Sequence, residues 1–138
     1  MKVFLDANVV LDSIVKRDNP QFSEDANTLL ALGEQRTITL YMSMLTVPLV
    51  AYVLKNITED KKKRILQDLT SIISILPSLP EHIDGLYDSH VADIEDYLQI
   101  QSAREGQCEI IVTRDTDDFK HSDIPAVTPG YLLERIIE

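Results

Sequence analysis

The sequence predicts an α/β fold in which a central, mostly parallel sheet lies between two layers of helices. Apolar segments of strand length alternate with segments of helical periodicity along the chain, and this alternation is typical of parallel sheets covered on both faces. The length of 138 residues suits one hydrophobic core, and no repeat or linker divides the chain. We therefore expect a single domain over residues 1–138.

The amino-terminal part is expected to begin with a strand and a turn. Residues 2–5 are apolar enough to predict a short buried strand, and the turn after it carries Asp6 and Asn8. The Asp-Asn-Pro sequence at 18–20 is a strong breaker of regular structure. Beyond it, apolar residues recur at helical spacing and predict a helix over 22–33.

A second strand and an apolar helix follow. β-Branched and aromatic residues predict the strand over 37–42. The segment 45–54 is almost wholly apolar and predicts a buried helix, because Pro48 is tolerated in a first turn. Ser43 or Thr46 is the expected cap of this helix.

The rest of the chain repeats the alternation of helix and strand. Capping residues at 58–60 and an apolar stripe beyond them predict a helix over 58–73. A strand over 73–76 and a short helix over 81–87 come next, and a clearer helix is expected over 93–106. The remaining predicted elements are a strand over 109–113, an edge strand over 124–127 and a final helix that follows Pro129-Gly130 and continues through 137.

The charge of the chain restricts how it could bind nucleic acid. The 13 basic and 23 acidic side chains give a net charge of −10 at neutral pH, which argues against a broad basic surface. It does not exclude a nuclease, because clustered carboxylates bind divalent cations that bring positive charge to a phosphate. One basic run is usually a solvated helix face, with contact to RNA backbone as the alternative; it comprises Lys61, Lys62, Lys63 and Arg64.

Other features predict a cytoplasmic protein without a membrane span. No apolar run approaches the roughly 18 residues that a span requires. The single cysteine, Cys108, cannot form an internal disulfide, and its apolar neighbours predict a buried, unreactive thiol. The histidines His82, His90 and His121 lie far apart without metal-ligand spacing, so surface or capping roles are expected.

Carboxylates follow two predicted strands at the ends where sites form in open α/β sheets. Three or four convergent carboxylates raise one another's pKa and need a cation, and Mg²⁺ and Mn²⁺ both prefer oxygen ligands. Taken singly, each acid is more simply explained by a turn, a cap or the helix dipole. The acids concerned are Asp6, Asp93, Glu95, Asp96, Asp115, Asp117 and Asp118.

Four stretches, in their order and spacing, resemble the PIN domain of VapC-type toxin ribonucleases. They are residues 4–12, 43–54, 93–99 and 111–119. The resemblance implies a three-layer PIN-like fold and Mg²⁺- or Mn²⁺-dependent cleavage of RNA by an acidic quartet. Carried over by position, it implies metal ligation by Asp6, Asp96 and Asp118, with Asp115 binding the ion or positioning water. It further implies that Asn8 and Thr113 are polar groups that orient ligands or water.

One position departs from the family pattern. The glutamate that is usual in the helix after the second strand falls on Leu49, and no acid occurs between Arg36 and Glu59. A working ribonuclease is favoured because the four aspartates are present. The alternative is a degenerate module that binds RNA or a protein without cleavage, and a structure-specific DNA nuclease is a third hypothesis. The expected partners are an RNA substrate, a protein antitoxin and a second copy in a homodimer.

Overall fold

The computed structural model describes residues 1–137, whose centre is a five-stranded sheet. The strands are β1 (Lys2–Leu5), β2 (Thr39–Ser43), β3 (Ile73–Leu76), β4 (Ile110–Val112) and β5 (Ala126–Val127). Their order across the sheet is β3-β2-β1-β4-β5, and each neighbouring pair is parallel. The prediction of a mostly parallel sheet is confirmed, and β1 lies at its centre.

Six α-helices within residues 1–137 cover the two faces of the sheet. They are α1 (Ala7–Asp12), α2 (Pro20–Glu34), α3 (Thr46–Val53), α4 (Glu59–Ile72), α5 (Ile94–Glu105) and α6 (Pro129–Ile137). Side chains alternate along β1, so that Phe4 packs with Ile100 of α5 while Val3 and Leu5 pack with the other five helices. This confirms the three-layer α/β/α prediction. No helix in the described range has both the length and the apolar character of a membrane span.

The segment after β1 is a helix, and the predicted turn there is wrong. Asp6 is the N-cap of α1, with φ −60° and ψ 151°, and Asn8 lies inside the helix. The β-branched pair Val9 and Val10 favours extended structure locally, but both side chains are buried in the core. Tertiary packing thus overrides propensity, and the Asp6 carboxylate is fixed at a strand-to-helix junction.

The beginning of α3 also differs from the prediction. Its N-cap is Leu45, which makes no capping bond through its side chain, so neither Ser43 nor Thr46 caps the helix. Ser43 Oγ instead accepts hydrogen bonds from Leu45 N at 3.1 Å and from Ser102 Oγ at 3.1 Å. Pro48 lies in the first turn, as expected. The buried pair of hydroxyl groups ties the end of β2 to α5.

The other predicted helices and strands are confirmed with small changes in their bounds, except for one helix. A 3₁₀ turn at Pro80–Ile83 replaces the helix predicted over 81–87. The side chains of Thr58 and Asp93 cap α4 and α5 as expected. Burial raises the pKa of the Cys108 thiol to about 11, which agrees with the prediction of an unreactive cysteine.

Gln99 allows a test of buried polarity in α5. Its side chain is fully buried, and neither its Oε1 nor its Nε2 has a hydrogen-bond partner among the described residues. A buried polar group without a partner costs about 1–3 kcal/mol, and methionine is apolar and similar in length. We expect Gln99→Met to raise the free energy of unfolding by about 1 kcal/mol in urea denaturation. A lower free energy of unfolding would contradict this expectation.

Candidate active site

The central pair of strands brings Asp6 and Thr113 together at the carboxyl edge of the sheet. Leu5 of β1 pairs with Val112 of β4, so the residues that follow them emerge side by side. Asp6 Oδ2 accepts a hydrogen bond from Thr113 Oγ1 at 2.9 Å, and Asp6 Oδ1 accepts one from Ala7 N at 2.8 Å. Both carboxylate oxygens are therefore held, which fits the orienting role predicted for Thr113.

Asp6 is a buried acid that is hard to ionise in the folded chain. Burial raises the pKa of Asp6 from 3.8 to about 6, although the hydrogen bonds from Thr113 and Ala7 lower it. The negative charges of Glu95 and Asp115 raise this pKa further. Because the folded environment penalises the anion, a cation near this carboxylate would be favourable.

Asp96 meets the same edge from the first turn of α5. Its backbone N donates to Asp93 Oδ1 at 3.0 Å, and this cap begins the helix. Burial is the main reason that the pKa of Asp96 rises from 3.8 to about 7, followed by the charge of Asp93 and then those of Asp6 and Asp118. The charges of Asp6 and Asp118 are therefore close enough to Asp96 to raise its pKa.

The remaining predicted polar residues lie around this edge. Asp115 and Asp118 are exposed; Asp115 is the N-cap of the short 3₁₀ turn Thr116–Phe119 that follows β4, and Asp118 lies within that turn. Asp115 N donates to Thr113 Oγ1 at 3.1 Å, which links the loop to the hydroxyl group that holds Asp6. Asn8 is half-buried in α1. The predicted residues thus share one region of the fold.

A cavity of about 340 Å³ opens beside Asp96 and Asp118. Two histidines line it, and their ring centroids are 5.8 Å apart. Both rings belong to exposed residues, as predicted, and the fold brings the two residues together although they are 31 positions apart in the sequence. The full lining is His90, Val91, Ala92, Asp93, Asp96, Asp117, Asp118, Lys120 and His121.

The third histidine, His82, is held by hydrogen bonds away from this cavity. His82 is buried, and its Nδ1 accepts a hydrogen bond from Leu79 N at 3.1 Å. Its Nε2 lies 3.3 Å from Glu105 Oε2. The capping role predicted for a histidine therefore applies to His82.

The donor set at the edge suits a hard divalent cation. Within residues 1–137, no group of three or more Asp, Glu, His or Cys side chains is arranged so that it could hold a metal together. Mg²⁺, however, is usually bound through only one or two carboxylates, with waters and substrate phosphates completing its shell. The repelling pair Asp6 and Asp96 supplies oxygen donors of this kind, and Asp118 is a third nearby acid.

The carboxyl edge of the sheet where Asp6, Asp96 and Asp118 lie is called the acidic edge below. An ion-pair network around the buried Asp12 adjoins it and was not predicted from the sequence. The side chain of Asp12 is 2% exposed, and Arg17 Nε donates to its Oδ1 at 2.7 Å. Arg114 Nε lies 2.8 Å from its Oδ2, and the Arg114 guanidinium stacks 4.4 Å from the centroid of the Phe22 ring. Asp12 and Arg114 are 102 positions apart, so no local pattern could have paired them. The network fixes the residue directly before Asp115.

The basic run predicted as a solvated face or an RNA contact lies at the start of α4. Lys61, Lys63 and Arg64 are exposed. Lys62 is 13% exposed in its side chain, and its Nζ lies 2.7 Å from Glu59 Oε1. These positions agree with a helix face in contact with solvent.

In the metal-free protein, stability is expected to fall as the pH rises through neutrality. The pKa values of Asp6, about 6, and Asp96, about 7, exceed the ordinary value of 3.8, so the folded chain retains protons that the unfolded chain loses. This stabilisation is complete below about pH 3.8 and is lost as the pH rises through 6 and 7. Melting curves in EDTA at pH 5 and pH 8 measure it. An Asp6→Asn/Asp96→Asn double variant should lose this part of the pH dependence, and equal pH dependence in both proteins would contradict it.

The fold and the acidic edge define a class of protein, and the comparisons with known proteins agree. A family model described as PIN domain matches residues 2–117. This chain belongs to the PIN domain family. Ribonuclease VapC1 of Aquifex aeolicus (strain VF5) is 32% identical over 145 residues, an alignment that covers 97% of this chain and 94% of that protein. The resemblance to VapC-type proteins is thereby confirmed.

Solved structures share the fold at lower identity. VapBC2 from Rickettsia felis, bound to a DNA fragment from its promoter, matches with a TM-score of 0.66 and 14% identity, over 93% of this chain and 98% of that one. FitAcB from Neisseria gonorrhoeae gives a TM-score of 0.63 and 21% identity, over 94% and 99%. VapBC-1 from nontypeable Haemophilus influenzae gives a TM-score of 0.65 and 13% identity, over 94% of this chain and 99% of that one.

Proposed function

We propose that this chain is a metal-dependent endoribonuclease and the toxin of a toxin–antitoxin pair. The observation that carries the proposal is the placement of two acids, Asp6 and Asp96, at one sheet edge, where burial is the main cause that raises the pKa of each and the charge of Asp6 raises that of Asp96 further. Such a pair favours a divalent cation, because its positive charge offsets both the burial of the carboxylates and the repulsion between them. The 32% identity to a protein named Ribonuclease VapC1 supports RNA as the substrate.

Each residue of the edge has a role in this proposal. Asp6 and Asp96 would hold Mg²⁺ or Mn²⁺, and Asp118 would be the further ligand from the loop after β4. An ion held there would supply a more acidic water and positive charge for the phosphodiester. Thr113 keeps the Asp6 carboxylate in one orientation through its 2.9 Å hydrogen bond. Asp115, exposed beside the edge, positions the attacking water.

A protein antitoxin is the proposed partner. The solved structures that share this fold include VapBC2, VapBC-1 and FitAcB. A short antitoxin peptide lying across the acidic edge would place a basic side chain near Asp6 and Asp96, where it would replace the charge of the metal. This explains how one protein could block both the ion and the RNA.

A homodimer is proposed on the side of the sheet that ends in β3. Large apolar side chains are exposed on β3, on α3 and directly before α3, and their burial between two copies would be favourable. They are Met44 (50% exposed), Tyr52 (66%), Val53 (37%) and Ile75 (40%).

A degenerate module that binds RNA or protein without cleavage is the second candidate, and Leu49 favours it. This side chain stands where the family usually has a glutamate, and it is half-buried in α3. Loss of one carboxylate weakens the electrostatic hold on a cation, although water can occupy a coordination position on Mg²⁺.

Incubation with RNA separates the two candidates. The purified chain is mixed with end-labelled single-stranded RNA and Mn²⁺, beside the Asp6→Asn/Asp96→Asn double variant. The ribonuclease proposal requires cleavage by the parent that disappears in the double variant and on addition of EDTA. Equal traces of cleavage in both proteins would overturn it and would favour the binding module.

A further inference from the structure

We propose that His90 and His121 form a wall that contacts the phosphates of RNA in the cavity that Asp96 and Asp118 also line. The inference rests on the proposed ribonuclease function and adds where the substrate backbone lies. The two rings come from distant parts of the chain, one before α5 and one after the 3₁₀ turn Thr116–Phe119. The fold nevertheless places their centroids 5.8 Å apart, with an angle of 46° between the ring planes.

The location of the histidine pair connects it with the candidate active site. His90 and His121 line the same 340 Å³ cavity as Asp96 and Asp118. Both histidines are exposed residues, so a ligand in the cavity can reach their rings without a change in the fold. An RNA strand held at Asp96 would therefore pass this wall.

The charge of the cavity shows why a polyanion needs this wall. The chain has a net charge of −10, and the aspartates in the lining would repel phosphate. A metal at Asp6 and Asp96 offsets that repulsion only locally, whereas a strand carries a phosphate at every nucleotide. The titratable groups that face the pair are Asp93 and Asp96 from the start of α5 and Asp117, Asp118 and Lys120 from the segment after β4.

Imidazole suits this position in either protonation state. A neutral ring donates one N–H hydrogen bond to a phosphate oxygen, and a protonated ring adds a positive charge. Metal ligation is the competing use of paired histidines. It is not supported, because no three metal-ligating side chains within residues 1–137 are arranged around one point.

The test compares His90→Gln/His121→Gln with the parent in cleavage of a 12-nucleotide single-stranded RNA with Mn²⁺. Removal of two phosphate contacts should raise KM about tenfold with kcat within about twofold. It should also reduce the slope of log affinity against log salt, by about 0.7 for each ring that is protonated in the complex. A His90→Lys/His121→Lys variant should restore the KM of the parent, with a salt slope at least as steep as that of the parent, because lysine contacts phosphate as a cation.

Controls distinguish this role from structural damage and from loss of the proposed function. Lys16→Gln/Lys55→Gln removes two exposed cations that do not line the cavity, and it should leave KM and the salt slope near those of the parent. An unchanged KM and salt slope in the histidine variant, or a fall in kcat alone, would overturn the inference. If the parent does not cleave RNA, the proposed function fails, and fluorescence anisotropy of the same RNA in Ca²⁺ still tests the wall through the salt slope.

Discussion

Asp6→Asn is expected to abolish RNA cleavage and, without divalent ions, to make the protein more stable at neutral pH. Asparagine keeps the side-chain acceptor that Ala7 N uses at the start of α1, so the cap survives. What is lost is the negative charge that the folded chain tolerates poorly, since burial raises the pKa of Asp6 to about 6. We expect a gain on the order of 2 kcal/mol at pH 8 in EDTA, and a fall in kcat of about a hundredfold or more.

Melting curves and single-turnover cleavage with Mn²⁺ measure the two effects. Asp68→Asn is the matched control, because it removes one carboxylate from an exposed position of α4, and it should change neither activity nor the Tm by much. A lower kcat together with a higher Tm in Asp6→Asn would show that this acid is kept for function although its charge destabilises the folded chain. Retention of full activity, or a lower Tm in EDTA at pH 8, would contradict the role proposed for this carboxylate.

The position of this acid could be predicted because parallel strands fix it. Lys2–Leu5 and the segment containing Ile110–Val112 were recognisable as strands from their apolar composition, and the residues after parallel strands meet at one edge. Asp93 was likewise recognisable as a cap from the periodicity beyond it. The predictions that succeeded are those in which local pattern and topology agree.

The helix directly after Asp6 could not be predicted by the same reasoning. Its six residues include Val9 and Val10, whose local preference is extended, and the helix is supported by core packing that the sequence does not reveal. Short helices depend most on tertiary contacts, because helix nucleation is unfavourable and a short helix forms few backbone hydrogen bonds to offset it. The error concerned α1 and left the location of Asp6 unchanged.

Contacts between distant segments of the chain are harder still to predict from the sequence. His90 and His121 are 31 positions apart, and each lies outside the helices and strands. No periodicity places such loop residues together, because their meeting depends on how the segment before α5 and the turn after β4 pass over the sheet. Sequence patterns therefore predicted that acids meet at this edge of the sheet but not that the two histidines lie beside them.

Leu49→Glu is expected to strengthen metal binding, because it restores a carboxylate where the family usually has one. α3 begins three residues after β2 ends, so Leu49 lies one turn into a helix that starts at the carboxyl edge. The Thr46 hydroxyl, one turn earlier, is buried and has no hydrogen-bond partner among the described residues. A new carboxylate there would strengthen the electrostatic attraction for a cation. We expect Mn²⁺ to bind about tenfold more tightly, a gain of about 1.4 kcal/mol in binding free energy.

The same change should lower stability without metal by about 1–2 kcal/mol, since a half-buried apolar side chain is replaced by a charge. Leu49→Gln is the matched control, because it has the shape and polarity of glutamate without the charge. Calorimetric titration with Mn²⁺ and melting in EDTA measure both effects, and saturating Mn²⁺ should offset the loss of stability only in Leu49→Glu. Equal Mn²⁺ affinity in the two variants would place Leu49 outside the metal's reach, and the absent glutamate would then not explain any weakness in catalysis.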